Sequence, residues 1–473
     1  MLRRLGQNRN NEILCEKNAV LSIKDASYPV LFSPGLEFNS PAHGCWNIVH
    51  TGMTIPEAHQ IYVCADNCMR GVVLTAAEMN AADRFSFVIV EEENLLNGNL
   101  EDVTIEGVTD VIYKLKEKRT ADEMPKAILL FTVCLHHFLG CDLERVYSEL
   151  EERFPELVFL RCYMDPIMQK QGPTPDQKLR KAMFEPLKNR TLDTKVVSIL
   201  GSDFQLDENS DLKQFLAGYG YRAKELQDCK TWEEYESLSE AGMILCTYPS
   251  GKYGTELLAE RLNRRFFYMP SCFDYDEITG QFEALARSLG ISNEEIGRYK
   301  NEIITKEIKK CEVSIKHALE VIGKTKIAID ATVHPRPLGL AKYLTEHGFC
   351  VQEVYLDAIS PEEKKAFEWL KIHTPELKLK ATIRPEMRVL SRDVAETGET
   401  GEKTNQKPQI LAIGQKAAWF TGSRYFVNQV QGAGMHGFVG IRKMAEEMER
   451  AYLQEKDPKD LIVRKGWGCE SCI

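Results

Sequence analysis

Fourteen cysteines, at positions 15, 45, 64, 68, 134, 141, 162, 229, 246, 272, 311, 350, 469 and 472, are the residues of this chain best equipped for chemistry. A thiol can fill a core, pair as a disulfide, exchange electrons or, once deprotonated, bind a soft metal. A chain of 473 residues buries a large core without cross-links, so a disulfide scaffold is not expected. The thiols should stay reduced, most as core residues and some as metal ligands. Cys469-x-x-Cys472 has a spacing that holds metal or forms a redox pair, against the plainer reading of an unligated tail. The segment Tyr248-Pro249-Ser250-Gly251-Lys252-Tyr253-Gly254-Thr255 lacks the order of a phosphate loop, because Tyr253 follows its lysine. It reads as a strand-to-helix turn, and the chain is not expected to be an ATPase itself.

Composition narrows the partners. Hydrophobic residues make up 43% and charged residues 27%, the mixture of a soluble globular protein. The net charge of −10 provides no basic field for phosphate backbones, so nucleic acid is not expected. The longest apolar run, 127–136, is about half the roughly 20 residues of a membrane helix. Met1-Leu2-Arg3-Arg4 is followed by no apolar stretch, so neither a membrane span nor a secretory signal is expected.

The elements that must position these cysteines alternate along the chain. Apolar runs at 127–133, 157–162, 196–200, 242–246, 265–269, 326–330, 351–355 and 409–413 predict buried parallel strands. Helical patterns follow at 143–153, 211–217, 255–263, 274–289 and 338–347, and a long one runs from Asn293 to Gly323. Such alternation predicts an α/β protein of three Rossmann-like domains, parallel sheets covered by helices. The divisions fall at 1–165, 166–320 and 321–473. A mobile loop at 395–407 and the Cys-x-x-Cys tail belong to the last. Open α/β sheets bind ligands at the carboxyl ends of strands, and Cys134, Cys162 and Cys246 stand at or just past such ends.

Cys45 lies in Ala42-His43-Gly44-Cys45-Trp46, Cys68 follows 23 residues later, and Cys134 a further 66. Between the last two runs an acidic stretch, Glu91-Glu92-Glu93-Asn94-Leu95-Leu96-Asn97-Gly98-Asn99-Leu100-Glu101; after Cys134 comes Leu139-Gly140-Cys141-Asp142. Later stand Ile327-Ala328-Ile329-Asp330 with Val333-His334-Pro335-Arg336-Pro337, and Gly434-Met435-His436-Gly437-Phe438-Val439-Gly440. This order resembles the component 1 proteins of the nitrogenase superfamily, which include dinitrogenase subunits and the dark-operative protochlorophyllide reductase.

The resemblance implies that Cys45, Cys68 and Cys134 hold an iron–sulfur cluster. Cys64, four residues before Cys68, is the alternative second ligand, with Cys68 preferred for its separation from Cys134. Cys141 is a further ligand or, by preference, a turn residue, and His136 or His137 tunes the cluster by hydrogen bonding. Three thiolates suit a 4Fe–4S cluster completed by a second subunit, or a larger cluster shared between subunits. The implied function is a cytoplasmic reductase component, receiving electrons from an ATP-dependent iron protein within a homo- or heterodimer. The alternative is a non-catalytic scaffold for metallocluster assembly; a third reading is an α/β protein whose cysteines bind zinc or nothing. Cys246 stands where the family's substrate-binding cofactor takes its cysteine. A second metallocofactor held in the family's usual way is nonetheless doubtful, since His436 is the sole histidine after Gln409.

Overall fold

The computed structural model describes residues 15–32, 40, 42, 47–164, 172–389, 410–459 and 461. Cys45, the loop 395–407, Cys469 and Cys472 lie outside them. The strands are β1 (Val20–Ser22), β2 (Ala58–Cys64), β3 (Phe85–Ile89), β4 (Ala127–Val133), β5 (Val158–Met164), β6 (Asp193–Leu200) and β7 (Arg222–Glu225). They continue with β8 (Ala241–Cys246), β9 (Arg265–Tyr268), β10 (Lys326–Asp330), β11 (Cys350–Tyr355), β12 (Lys378–Lys380), β13 (Ile410–Ile413) and β14 (Phe426–Val427). Three sheets result, in the orders β3-β2-β4-β5, β7-β6-β8-β9 and β1-β12-β11-β10-β13-β14. Every pairing within them is parallel except β1 with β12. The protein is thus of the α/β class, with several parallel sheets covered by helices, as the alternation predicts.

Two compact units divide the chain. One comprises Trp46–Gln205 and Lys213–Pro270, the other Met1–Cys45, Leu206–Leu212 and Ser271–Ile473. The first unit contains the first two sheets. Its central strand β4, Ala-Ile-Leu-Leu-Phe-Thr-Val, is buried along its whole length. Period-2 alternation sends Leu129 and Phe131 to one core and Ile128 and Leu130 to another, so both faces need helices. On the second face Leu100–Lys118 contributes Val108 and Ile112, and Leu143–Arg153 contributes Val146 and Leu150. Tyr62 of β2 stacks on Phe131, centroids 4.3 Å apart.

Strand β2 carries the polar pair His59-Gln60 near its start, which shortens its apolar run to 61–64, yet it is buried throughout. Its polar side chains find partners inside: His59 Nε2 lies 2.8 Å from Ser86 Oγ, its Nδ1 staying unpaired among the described residues, and Gln60 Nε2 donates to the Val49 carbonyl at 3.0 Å. The Tyr62 hydroxyl donates to Gln60 Oε1. A buried polar group is tolerated when paired, which is why hydropathy alone misses this strand.

The second unit contains the six-stranded sheet. Asn293–Tyr299, a π-helical turn at Lys300–Ile304 and Thr305–Ile322 form one continuous helical stretch, as its periodicity predicts. It stops at Gly323, whose φ of +63° suits glycine and whose N–H donates to the Leu319 carbonyl. Among the described residues no helix is long and apolar enough to cross a membrane.

Candidate metal centre

The carboxyl edge of the first sheet is where the described sulfur chemistry gathers. Strand β2 ends at Cys64, and after Ala65 the chain enters helix Asp66–Glu78, with Cys68 in its first turn. Strand β4 ends at Val133, and Cys134 opens the short helix Cys134–Phe138. The two strands are adjacent and parallel, with Val63 opposite Thr132, so both connections leave the same edge side by side. Cys68 is exposed; Cys134 is half-buried, its Sγ 3.7 Å from the Met164 carbonyl.

Cys64 has a different environment. It is buried, its thiol contacts Met69 Sδ at 2.9 Å, and burial, with Cys68 and Asp66 nearby, pushes its pKa up to about 12. A thiol so held stays protonated and faces the core; Cys68, one helical turn on, faces outward. Cys162 is also buried, because β5 runs on through Met164 and encloses it among core residues. Burial raises its pKa strongly.

The surroundings of Cys134 are held by residues from the acidic stretch. Gly98, at φ +63°, ends helix Glu92–Asn97 in the left-handed region. Glu101, in the first turn of Leu100–Lys118, then accepts the Asp142 N–H at 2.7 Å. That bond is the main reason its carboxyl lies below the ordinary value; a hydrogen bond from the Cys141 thiol adds to it. Asp142 in turn accepts the Arg145 N–H at 3.1 Å and caps Leu143–Arg153. The Gly98-to-Glu101 element therefore ties down the loop after Cys134. Cys141, its pKa raised to about 12 by burial and by Glu101, is a turn residue.

His136 is buried and neutral, its pKa lowered to about 4 by burial. Its Nδ1 accepts the Val133 N–H at 3.2 Å and its Nε2 lies 3.3 Å from Thr104 Oγ1. His137 sets its ring edge-on against Tyr163, centroids 5.7 Å apart. One contact on the helix that leaves this edge gave no signal in the sequence. Asn47 caps helix Ile48–Met53 through Val49 N–H at 2.9 Å and donates to Thr75 Oγ1, also at 2.9 Å, on the helix that carries Cys68. The chain two residues beyond Cys45 is thus docked on that helix.

A family model for nitrogenase component 1-type oxidoreductases matches residues 100–452, about three quarters of the chain. The chain belongs to this family. The match includes Cys134 and Cys246 and starts after Cys45, Cys64 and Cys68. Among solved structures, nitrogenase Cp1 at pH 6.5 superposes with a TM-score of 0.63 at 14% identity, covering 90% of this chain and 95% of that one. Nitrogenase Cp1 at pH 5 gives 0.57 at 12% identity, covering 92% and 94%. At such identities the likeness shows the component 1 fold. No curated protein sequence matches the chain.

Component 1-type proteins are iron–sulfur oxidoreductases, and the described donors suit that chemistry. Cys68 and Cys134 offer soft sulfur donors in the first turns of the helices that follow two adjacent strands, the donor type that iron–sulfur clusters take. Among the described residues no group of three or more His, Cys, Asp or Glu side chains is placed to hold a metal ion.

The other motifs of this component 1-type chain sit in turns and caps. Cys246, the last residue of β8, is fully buried and donates to the Tyr248 carbonyl at 3.2 Å. Helix Pro249–Leu262 starts directly after it, with Pro249 at its first turn, so Gly251 and Gly254 are helical. A Cβ on Gly251 would come within 2.3 Å of Gly201 Cα, and one on Gly201 within 2.9 Å of Cys246 Sγ. These glycines serve close backbone packing of the helix, which begins at Pro249, six residues before the expected start at 255, so most of the expected turn is helical. In the unit of the six-stranded sheet, buried His436 precedes helix Gly437–Leu453, and Asp211 accepts the Val439 N–H at 2.8 Å. Arg336 is buried and pairs bidentately with Glu277 at 2.5 and 2.9 Å, and Pro337 opens helix Pro337–Glu346.

Proposed function

We propose that this chain is the electron-accepting component of a nitrogenase-like iron–sulfur reductase, with Cys68 and Cys134 as cluster ligands and Cys45 as the third. One observation carries the reading: the parallel pairing of β2 with β4 brings Cys68 and Cys134, in the first turns of the helices that follow these strands, to the same sheet edge. The same edge turns Cys64 inward, which favours Cys68 over it. A bound cluster, 4Fe–4S or a larger one shared between subunits, would supply one-electron storage and transfer. The protein's part is to hold the thiolates on rigid elements: Glu101 anchors the loop after Cys134, and His136 fixes the start of Cys134–Phe138 as a neutral cap. Three thiolates leave ligation for a second subunit, so the working form is a homo- or heterodimer, cytoplasmic, served by a separate ATP-dependent iron protein. The domain divisions at 1–165, 166–320 and 321–473 belong to the same proposal. Cys246 is the position where a second metallocofactor would be sought, and its enclosed thiol supports a packing role instead.

The test is anaerobic purification followed by iron and sulfide analysis, EPR and sizing. The expected result is a brown dimer whose cluster is reduced by a partner iron protein with MgATP and dithionite, and hardly without nucleotide. A cluster-loaded monomer, or equal reduction without ATP, overturns the assignment. Cluster transfer to an acceptor protein without substrate turnover would point instead to an assembly scaffold.

A further inference from the structure

At the opposite, amino edge of the first sheet a cavity of about 700 Å³ opens between the starts of β2 and β4. Strands of seven residues put roughly 20 Å between this edge and the cysteines, so it is a separate place on the molecule. Its volume is that of a small-molecule site.

Two arginines give it its character. Arg84 donates from Nε to the Ala58 carbonyl at 3.1 Å and from Nη2 to the Ile55 carbonyl at 2.5 Å. Arg119 donates from Nη2 to the Asp83 carbonyl at 2.5 Å and from Nη1 to the Glu123 carbonyl at 3.5 Å. All these acceptors are neutral main-chain oxygens. They fix the orientation of both guanidinium planes without neutralising either charge, and neither arginine forms an ion pair among the described residues. Arg84 Nη1 and Arg119 Nε have no acceptor among those residues.

The nearby carboxylates are mostly turned elsewhere. Glu57 accepts the Trp232 N–H at 2.5 Å, and Glu123 accepts the Thr120 N–H and hydroxyl, each at 2.9 Å. Asp83 and Asp122 also line the cavity, and Asp83 attracts Arg84. Lys118 and Lys230 add exposed ammonium groups to the same lining. Four carboxylates and four basic side chains line the cavity, and the charge of the two arginines reaches His59. Burial chiefly lowers the pKa of His59, to about 3, with Arg119 and Arg84 adding to the effect. Arg119 also works against Arg84, whose own pKa is lowered mainly by burial. Guanidinium forks held in place by main-chain oxygens, with donors left over, are the geometry that binds phosphate and carboxylate groups bidentately.

We propose that this cavity is a binding site for a small polyanion carrying phosphate or carboxylate groups, held by Arg84 and Arg119 with Lys118 and Lys230 at its mouth. The site is independent of the cluster. The full chain would be titrated calorimetrically with pyrophosphate and, separately, with citrate, at constant ionic strength adjusted with chloride. Saturable binding of one molecule per chain is expected with at least one of them, and which one binds identifies the ligand's acidic group. Arg119→Gln should weaken it at least about tenfold, and Arg119→Lys, which keeps charge but loses the fork, by less. Lys118→Gln with Lys230→Gln alters only exposed side chains and should also weaken binding; this variant decides the matter if circular dichroism shows Arg119→Gln to be misfolded. Absence of saturable binding of both anions overturns the proposal, as does binding that these substitutions leave unchanged.

Discussion

The first and second sheets both carry cysteine at or just past the carboxyl end of a central parallel strand, and they treat Cys134 and Cys246 oppositely. In the first sheet the connections after β2 and β4 leave Cys68 exposed and Cys134 half-buried. In the second, helix Pro249–Leu262 begins directly after the connection from β8 and packs through Gly251 onto Gly201, enclosing Cys246 completely. Sheet topology places a residue at a ligand-binding edge. Whether its side chain is available depends on how closely the following helix approaches, and here two missing Cβ atoms decide that.

The sharpest test of this contrast is iron content. Cys68→Ala and Cys134→Ala should each lose most of the cluster iron and its EPR signal, because a missing thiolate leaves iron open to water. Cys246→Ala should keep both. Iron loss from Cys246→Ala with retention in the other two would reverse the comparison.

Next in size is the seal itself. Gly251→Ala would drive a Cβ into the Gly201 backbone, and Gly201→Ala would add strain at φ +92°. Each should destabilise the protein by about 2–4 kcal/mol, seen as a lowered urea midpoint, whereas Gly98→Ala, with open space around it, should cost about 1 kcal/mol. Equal midpoints for Gly251→Ala and wild type would show that the helix can withdraw from the strand end.

Within the first sheet, Cys64→Ala should retain iron and lose about 1–2 kcal/mol from a small cavity beside Met69, while Cys68→Ala should do the reverse. Iron analysis and urea unfolding on the same two samples separate the roles.

The smallest effect belongs to Glu101. Its carboxyl lies below its ordinary value in the folded protein, so its contribution is fully present above pH 4.5 and is lost as the pH falls through the lowered value. Glu101→Gln should cost about 1 kcal/mol at pH 7 and flatten the acid limb of the stability profile. A variant whose stability falls as steeply as wild type below pH 4.5 would show that Glu101 is not the anchor of the loop after Cys134.

Much of this was legible in the residues, for identifiable reasons. Strands such as β4 and β10 are short apolar runs buried on both faces, and helix Leu143–Arg153 is amphipathic with an aspartate cap, so local pattern and final burial agree. The order of Cys45, Cys68 and Cys134 around an acidic stretch, together with the later motifs at 327–337 and 434–440, suggested the family. Strand β2 was hidden, because His59 and Gln60 are buried only by virtue of Ser86, Val49 and Tyr62, partners that lie outside the strand's own run or two residues along it. The early start of Pro249–Leu262 was hidden too, since a Pro-Ser-Gly sequence reads as a turn until Gly201 is brought against it.

The sequence by itself determined the α/β class, the alternation of elements and the set of thiols that can serve as ligands, because periodicity and residue chemistry are local properties. Only the tertiary structure decided which thiols face outward. Cys64 and Cys68 differ by four positions, and nothing in their spacing says that one meets Met69 in the core while the other stands in the first turn of a helix on the sheet edge. The same holds for Arg84 and Arg119, 35 residues apart in sequence. Their shared cavity exists because β2 and β4 begin side by side, and because Ala58 and the segments leading into β2, β3 and β4 offer main-chain oxygens to the guanidinium groups.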